Sequence, residues 1–234
     1  MAKAFQNWTV LKHGELEKLG DNLWSVSGTM PNANIHRRMT VARLANGGLV
    51  IHNAIALDDA SMAELEAFGE PAFLLVPNGW HRQDAFIFKQ RYPKLRVLCP
   101  RGTRARVEQV VSTDGNYEDF PSDSRVKAFH LRGLKEREGA MFVQSDTGSS
   151  LVTCDAVMNI PPRSGLMGFF LAPTGRPSVP RIFRWLSVSD RAEFRSHLEE
   201  LASPSDLRQV LVGHGKTISD DPGKTLQGLA AELS

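Results

Sequence analysis

The chain of 234 residues has little of what would narrow its function at a glance. It carries only two cysteines, Cys99 and Cys154, too few for a disulfide framework in a chain of this length. Each stands near the end of an apolar run, "LRVLCP" and "SLVTCD", so both are expected as buried, reduced core thiols. No sign of charge dominates: 28 Lys and Arg oppose 26 Asp and Glu, a net charge of +2, and the basic residues are scattered. That excludes the electrostatic footprint of a nucleic-acid binder, and no nucleic-acid partner is expected. No stretch approaches about 18 uninterrupted apolar residues, so no membrane span is expected. The start of the chain, "MAKAFQNWTVLKHGEL", lacks an apolar signal region, and a soluble cytoplasmic protein is the default expectation. There is no internal repeat.

A phosphate-binding loop is also absent, although Gly-Lys-Thr occurs twice, at Gly215–Thr217 and Gly223–Thr225. Such a loop needs a further glycine five residues upstream so that backbone N–H groups can turn toward the phosphates. Val210 and Ile218 occupy those positions, and neither supplies that backbone.

What is present is an ordinary globular composition, 41% apolar and 23% charged, sufficient for one domain over 1–234. "NLWSVSG" (22–28) reads as a strand closed by Gly28. "MTVARL" and "GLVIHNAIAL" flank "ANGG", a hairpin signal in which the Asn-Gly pair would take positive φ. "DDASMAELEAFG" reads as a helix capped by Asp58 or Asp59, with Met62, Leu65 and Phe68 on one face and Gly69 as its stop. "AFLLVP" and "LRVLCP" are apolar enough for strands buried on both faces, and helices are expected in "QDAFIFKQRYP" and "RGTRARVEQVVS". "RVKAFHLRG", "GAMFVQS" and "SSLVTCD" read as three consecutive strands. A helix capped by Ser189, the strand "LRQVLVG" and the helix "GKTLQGLAAEL" close the chain. Two β-rich stretches that each gain helices predict a four-layer α/β/β/α sandwich.

Polar residues capable of chemistry cluster where the apolar runs end. His214 lies between Gly213 and Gly215 after the last strand, Asp155 follows "SSLVTC", and His81 and Asp84 follow "AFLLVP". Three further stretches carry alternatives. "NIHRRMT" offers His36, Arg37 and Arg38 either to an anionic substrate group or to solvent as a charged loop. "GLMGFFLAP", with Leu166, Met167, Phe169, Phe170 and Leu171, reads as a lid, as a homodimer or partner contact over 165–172, or as packing against the sheets. Trp80 reads as a pocket wall or as core.

In the order of its elements the chain resembles the metallo-β-lactamase superfamily. "MTVARLANGGLVIHNAIAL" resembles the family's opening strands, and "AFLLVPNGWHRQDAFIFKQRYPKLRVLCP" its first metal-loop region. "SLVTCDAVMN" resembles the strand ending in its metal-bridging Asp, and "VLVGHG" the last strand with its terminal metal His. The likeness is to a divergent branch with an incomplete ligand set. Against the family's His-x-His-x-Asp-His motif, Asn78, Trp80, Arg82 and Gln83 take the ligand positions, and a shift of one residue brings in His81 and Asp84 instead. Leu134 replaces the middle histidine, with His130 upstream. Asp155 and His214 match in register. The resemblance therefore implies a hydrolase of an unidentified small molecule with catalytic residues Asp155, His214 and Asp84. Its metal ligands would be His81, Asp155 and His214, holding at most one divalent ion such as zinc. Arg82 would place an opposing positive charge near such an ion. The alternative is a metal-free, non-catalytic binding or interaction protein that keeps the fold.

Overall fold

The computed structural model describes residues 4–30 and 33–233. Its strands form two sheets. The first contains β1 (Glu17–Gly20), β2 (Leu23–Met30), β3 (Ala33–Arg43), β4 (Leu49–His52), β5 (Pro71–Leu75), β6 (Arg96–Cys99) and β7 (Gly115–Asn116), hydrogen-bonded in that order. It is antiparallel from β1 to β4 and parallel from β4 to β7. The second contains β8 (Val126–His130), β9 (Gly139–Ser145), β10 (Gly148–Val152) and β11 (Leu207–Leu211), with β11 joining β10 in parallel.

Buried apolar side chains explain why the two sheets face each other. Val50, Leu75 and Leu98 of the first sheet meet Met141, Val143, Val152 and Leu211 of the second in one cluster. The opposite face of the first sheet buries Leu49, Ile51, Leu74 and Val97 with Met62, Leu65 and Phe88 from α1 (Asp59–Phe68) and α2 (Ala85–Arg91). After α3 (Arg104–Val107), α4 (Gly165–Leu171) and α5 (Arg181–Leu186), the helices α6 (Arg191–Leu201) and α7 (Pro222–Ala231) cover the second sheet. There Phe194, Leu198, Leu226 and Leu229 pack with Leu151 and Val210. The result is the α/β/β/α sandwich expected from the sequence. Among the described residues no helix is long and apolar enough to cross a membrane.

Local chemistry fixes several boundaries and corrects others. Asp58 caps α1 by accepting from the Ser61 amide at 2.8 Å, and Met62 and Leu65 are its buried residues. The β3–β4 hairpin forms at "ANGG", but of its Asn-Gly pair only Gly47 has positive φ; the Asn46 side chain instead accepts from the Gly48 amide at 3.0 Å. β2 runs through Gly28 to Met30. The cap of α6 is Asp190, which accepts from the Glu193 amide, whereas the Ser189 hydroxyl donates to the Gly133 carbonyl. The helix expected over "RGTRARVEQVVS" shortens to a 3₁₀ turn at Arg101–Thr103 and the single turn of α3. Gly102, in the 3₁₀ turn, is pressed against the loop before β9, where a Cβ would lie 2.3 Å from the Lys135 carbonyl oxygen.

The largest correction concerns "NIHRRMT", which is part of a strand and not a solvated loop, although His36 within it is exposed. It lies within β3, and Arg37 and Arg38 are both buried. Arg37 pairs with Asp84. Arg38 donates to the Ser25 hydroxyl at 2.7 Å and to the carbonyls of Val212 and Gly215 at 3.2 Å each. Because Val212 and Gly215 bracket His214, Arg38 ties the loop carrying that histidine to the first sheet.

Candidate active site

The parallel pairs β4–β5 and β10–β11 bring four C-terminal strand ends to one rim, the place where open α/β sheets generally receive ligands. Asn53 follows β4, Asn78 and His81 follow β5, Asp155 follows β10 and His214 follows β11.

Each loop is shaped by a definable contact. The Asn78 side-chain oxygen accepts from the amides of Trp80 at 2.9 Å and His81 at 3.1 Å, folding the chain back after β5. Its amide nitrogen donates to Asp155 Oδ2 at 2.9 Å and to Glu138 Oε2 at 3.2 Å. Gly213 lets the last strand pass Cys154 closely, since a Cβ there would lie 2.8 Å from Sγ. Gly215 has φ +101°, and a Cβ would lie 2.0 Å from the Asn159 carbonyl oxygen, so both glycines around His214 are required by its loop.

At the centre, three side-chain atoms form a nearly equilateral triangle. His81 Nε2 and His214 Nε2 each lie 3.2 Å from Asp155 Oδ1, and the two nitrogens are 3.1 Å apart. All three residues are largely buried. The outer hydrogen bonds assign the ring hydrogens. Asn53 donates its amide to the Arg38 carbonyl at 2.7 Å, so its oxygen faces His81 as an acceptor and His81 Nδ1, at 3.0 Å, is the donor. His214 Nδ1 donates to the His36 carbonyl at 2.7 Å. With both Nδ1 atoms protonated, the neutral rings turn two bare Nε2 lone pairs toward each other and toward a carboxylate oxygen. Such an arrangement calls for a proton or a cation at its centre.

The electrostatics follow from this geometry. Burial alone would raise the Asp155 pKa, but the two imidazoles outweigh it and hold the carboxyl well below the usual range. Burial alone would lower that of His214, yet its hydrogen bond to Asp155 raises it above the ordinary histidine value. Glu138, fully buried and close to Asp155, is pushed well above the usual carboxylate range by burial first and by the Asp155 charge second. Its other oxygen accepts from the Ala156 amide at 2.7 Å.

The donor set also fits a metal. Tetrahedral zinc with bonds of about 2.0–2.1 Å requires donor separations of about 3.3–3.4 Å, close to those of the triangle. Each histidine has the outer acceptor that commonly orients a metal-binding imidazole. A second, looser group replaces His214 by Cys154: donor atoms of His81, Cys154 and Asp155 lie within 4.8 Å of one another. The tighter His214 triangle is the better match, and the Cys154 thiol is pushed well above its ordinary pKa by burial and then by Asp155 and Glu138.

Of the residues singled out from sequence, the structure thus gathers His81, Asp155 and His214. It leaves Asp84 outside that group, buried in its ion pair with Arg37 and accepting from the Ala56 amide at 3.0 Å. The Arg82 guanidinium turns away from the triangle, to the Arg106 carbonyl and to Gln109 Oε1. His130 bonds Glu118 at 2.7 Å, outside the cluster. In the 165–172 segment Leu166, Met167 and Phe169 are exposed, so these side chains are not packed onto the sheets. Sequence reasoning did not single out Asn53, Glu138, the His36 carbonyl or Asn78 as a hydrogen-bond hub, and it took Cys154 as core alone. The Asn78-Gly79 pair directly after a buried run was the one available signal, since Asn in such places folds a turn with its own side chain.

This architecture and rim define the metallo-β-lactamase fold. The chain is similar over 95% of its length to the whole of the DIM-1 metallo-β-lactamase, from a crystal exposed to ceftazidime, with a TM-score of 0.63 and 15% identity. It is similar to the FIM-1 metallo-β-lactamase from Pseudomonas aeruginosa in its mono-zinc form, covering 96% of this chain and 98% of that one, with a TM-score of 0.61 and 10% identity. A metallo-β-lactamase from Pontibacter korlensis matches with a TM-score of 0.60 and 10% identity, over 93% of this chain and 98% of that one. No protein-family model and no curated protein matches the sequence.

Proposed function

We propose that this protein is a divergent hydrolase of the metallo-β-lactamase fold, with one reaction site at His81, Asp155 and His214 that holds at most a single divalent ion such as zinc. The observation that carries the reading is the convergence of three lone-pair atoms at 3.1–3.2 Å with both histidine tautomers set from outside. Asn78, Trp80, Arg82, Gln83 and Leu134 stand where the family's motifs carry ligands and supply none of the usual His or Asp side chains, which favours one ion over two. Both sheets contribute walls to this one cluster, in keeping with a single domain over 1–234.

When bound, zinc would supply Lewis-acid polarisation and lower the pKa of a water nucleophile. The chain's own residues do the rest. His81 and His214 present Nε2 inward while Asn53 and the His36 carbonyl hold their rings. Asp155 remains ionised, and Asn78 fixes its second oxygen. Trp80, Met158 and Phe183 wall the cleft beside Asp155 with apolar surface. The matching substrates are esters, lactones, thioesters or phosphoesters: a water oxygen bonds to the acyl carbon or phosphorus, the bond to the leaving group breaks, and the proton leaves with it.

Metal content of protein purified without chelator, followed by a panel of esters and phosphoesters with added Zn²⁺ or Mn²⁺, tests the reading. One ion per chain and turnover lost in Asp155→Asn are expected. No bound metal and no turnover on any substrate would overturn it in favour of a non-catalytic binding protein. That second reading has its own support, because Asn78 already occupies one oxygen of Asp155 and a proton suffices to satisfy the triangle.

A further inference from the structure

Two cavities meet at Trp80. The first, of about 250 Å³, is lined by Trp80, Met158, Ile182, Phe183 and Leu186 and reaches Asp155. Apart from that carboxylate its wall is apolar. An apolar cavity of about 150 Å³ holds a benzene ring, so this one accepts an aryl group or a short acyl chain. The second, of about 550 Å³, shares Trp80 and Leu186 with the first. Its other lining residues include Arg106 and Arg137, and none carries a carboxylate. The Arg106 guanidinium lies 5.5 Å from the centre of the Trp80 ring. Arg137 donates to the Leu186 carbonyl at 3.1 Å and, among the described residues, forms no ion pair, and as a lining residue it brings a positive charge to the cavity wall.

We propose that these adjoining cavities form a binding site for an anionic amphiphile, with its aryl or acyl group in the apolar cavity beside Asp155 and its carboxylate or phosphate across Trp80 on Arg106 and Arg137. The inference deepens the hydrolase reading, on which it rests only for what happens to the ligand once bound. Trp80 is the divider and contact face between the two halves, which accounts for an indole left 43% exposed at the rim of a buried site. A neutral molecule of the same shape would gain only the apolar half of the contact.

The test uses metal-free protein, so that no ion competes for the anion, and two probes of equal reach, 4-phenylbutyrate and 4-phenylbutan-1-ol, titrated by ligand-observed NMR. The acid is expected to bind at least tenfold more tightly than the alcohol. Arg137→Gln should remove most of that preference and leave the alcohol's affinity unchanged. Arg106→Gln, read in the same way, provides an independent cationic variant. Ile182→Trp, which fills the apolar cavity, should weaken both probes at least tenfold. Equal binding of acid and alcohol, or a preference that survives both arginine variants, would overturn the proposal. The two readings separate cleanly. A preference for the acid without turnover of any ester keeps the binding site and removes the hydrolase. Turnover by zinc-loaded protein, with acid and alcohol bound alike, keeps the hydrolase and removes this site.

Discussion

Replacing Asp84 by asparagine separates a structural role from a catalytic one. Asp84 and Arg37 form an ion pair whose side chains are 0% and 4% exposed, so solvent does little to screen it. Asparagine keeps the shape and the acceptor for the Ala56 amide, but it strands the Arg37 guanidinium in the core. Breaking a buried pair from one side costs about 3–5 kcal/mol. For a chain of this size each kcal/mol is worth about 2–4 °C in Tm, so the variant should melt about 6–20 °C below the parent. Differential scanning calorimetry measures this directly. Arg37→Met combined with Asp84→Asn removes the stranded charge, and the double variant should lose less than the sum of the single losses. At a temperature where the single variant is folded, its zinc affinity should equal that of the parent, because Asp84 does not touch the triangle. A variant with unchanged Tm but no hydrolysis would refute this reasoning and return Asp84 to the reacting groups.

Three other outcomes follow from the same geometry. Gly215→Ala combines a φ of +101° with a Cβ placed 2.0 Å from a carbonyl oxygen; it should displace His214, weaken zinc binding at least tenfold and lower the Tm, as titration calorimetry and melting curves would register. In metal-free protein the His214 pKa is raised, so its contribution to stability is complete below the unfolded value of about 6.5 and is lost as pH rises through the folded value. Urea unfolding of the parent should therefore show a decline over that upper range that His214→Gln lacks, and parallel pH profiles for the two would count against the Asp155–His214 pairing. His52, whose pKa burial lowers to about 3, acts with the opposite sign: it must be neutral in the folded state, so it subtracts stability as pH falls below about 6.5, a fall that His52→Leu should reduce.

Much of the fold was legible because its strands announce themselves locally. β5, β10 and β11 are short apolar runs with polar residues at their ends, and that grammar pointed to His81, Asp155 and His214, which the fold brings together. What was not legible depends on distant partners. Arg37 and Arg38 read as solvent-facing because two adjacent arginines rarely sit within a buried strand. Their partners lie 47, 174 and 177 residues away, at Asp84, Val212 and Gly215, and no local pattern reveals them. The same holds for Asn53 and the His36 carbonyl, which set the histidine tautomers from β4 and β3. Asp84 lies outside the triangle for a related reason: it stands beside the metal-loop segment in sequence, yet its carboxyl is taken up by Arg37 of β3 and by the Ala56 amide. Cys154 looked like any core thiol until the close passage of Gly213 placed it beside the rim.

The most direct test is isothermal titration of chelator-treated protein with Zn²⁺ near pH 7.5, in two buffers of different ionisation enthalpy. One ion per chain should bind, with heats that differ between buffers because the proton held at the triangle is released. His81→Ala, Asp155→Asn and His214→Ala should each weaken binding more than tenfold. Zinc heats that are absent from the parent protein, or unchanged in all three variants, would contradict the account.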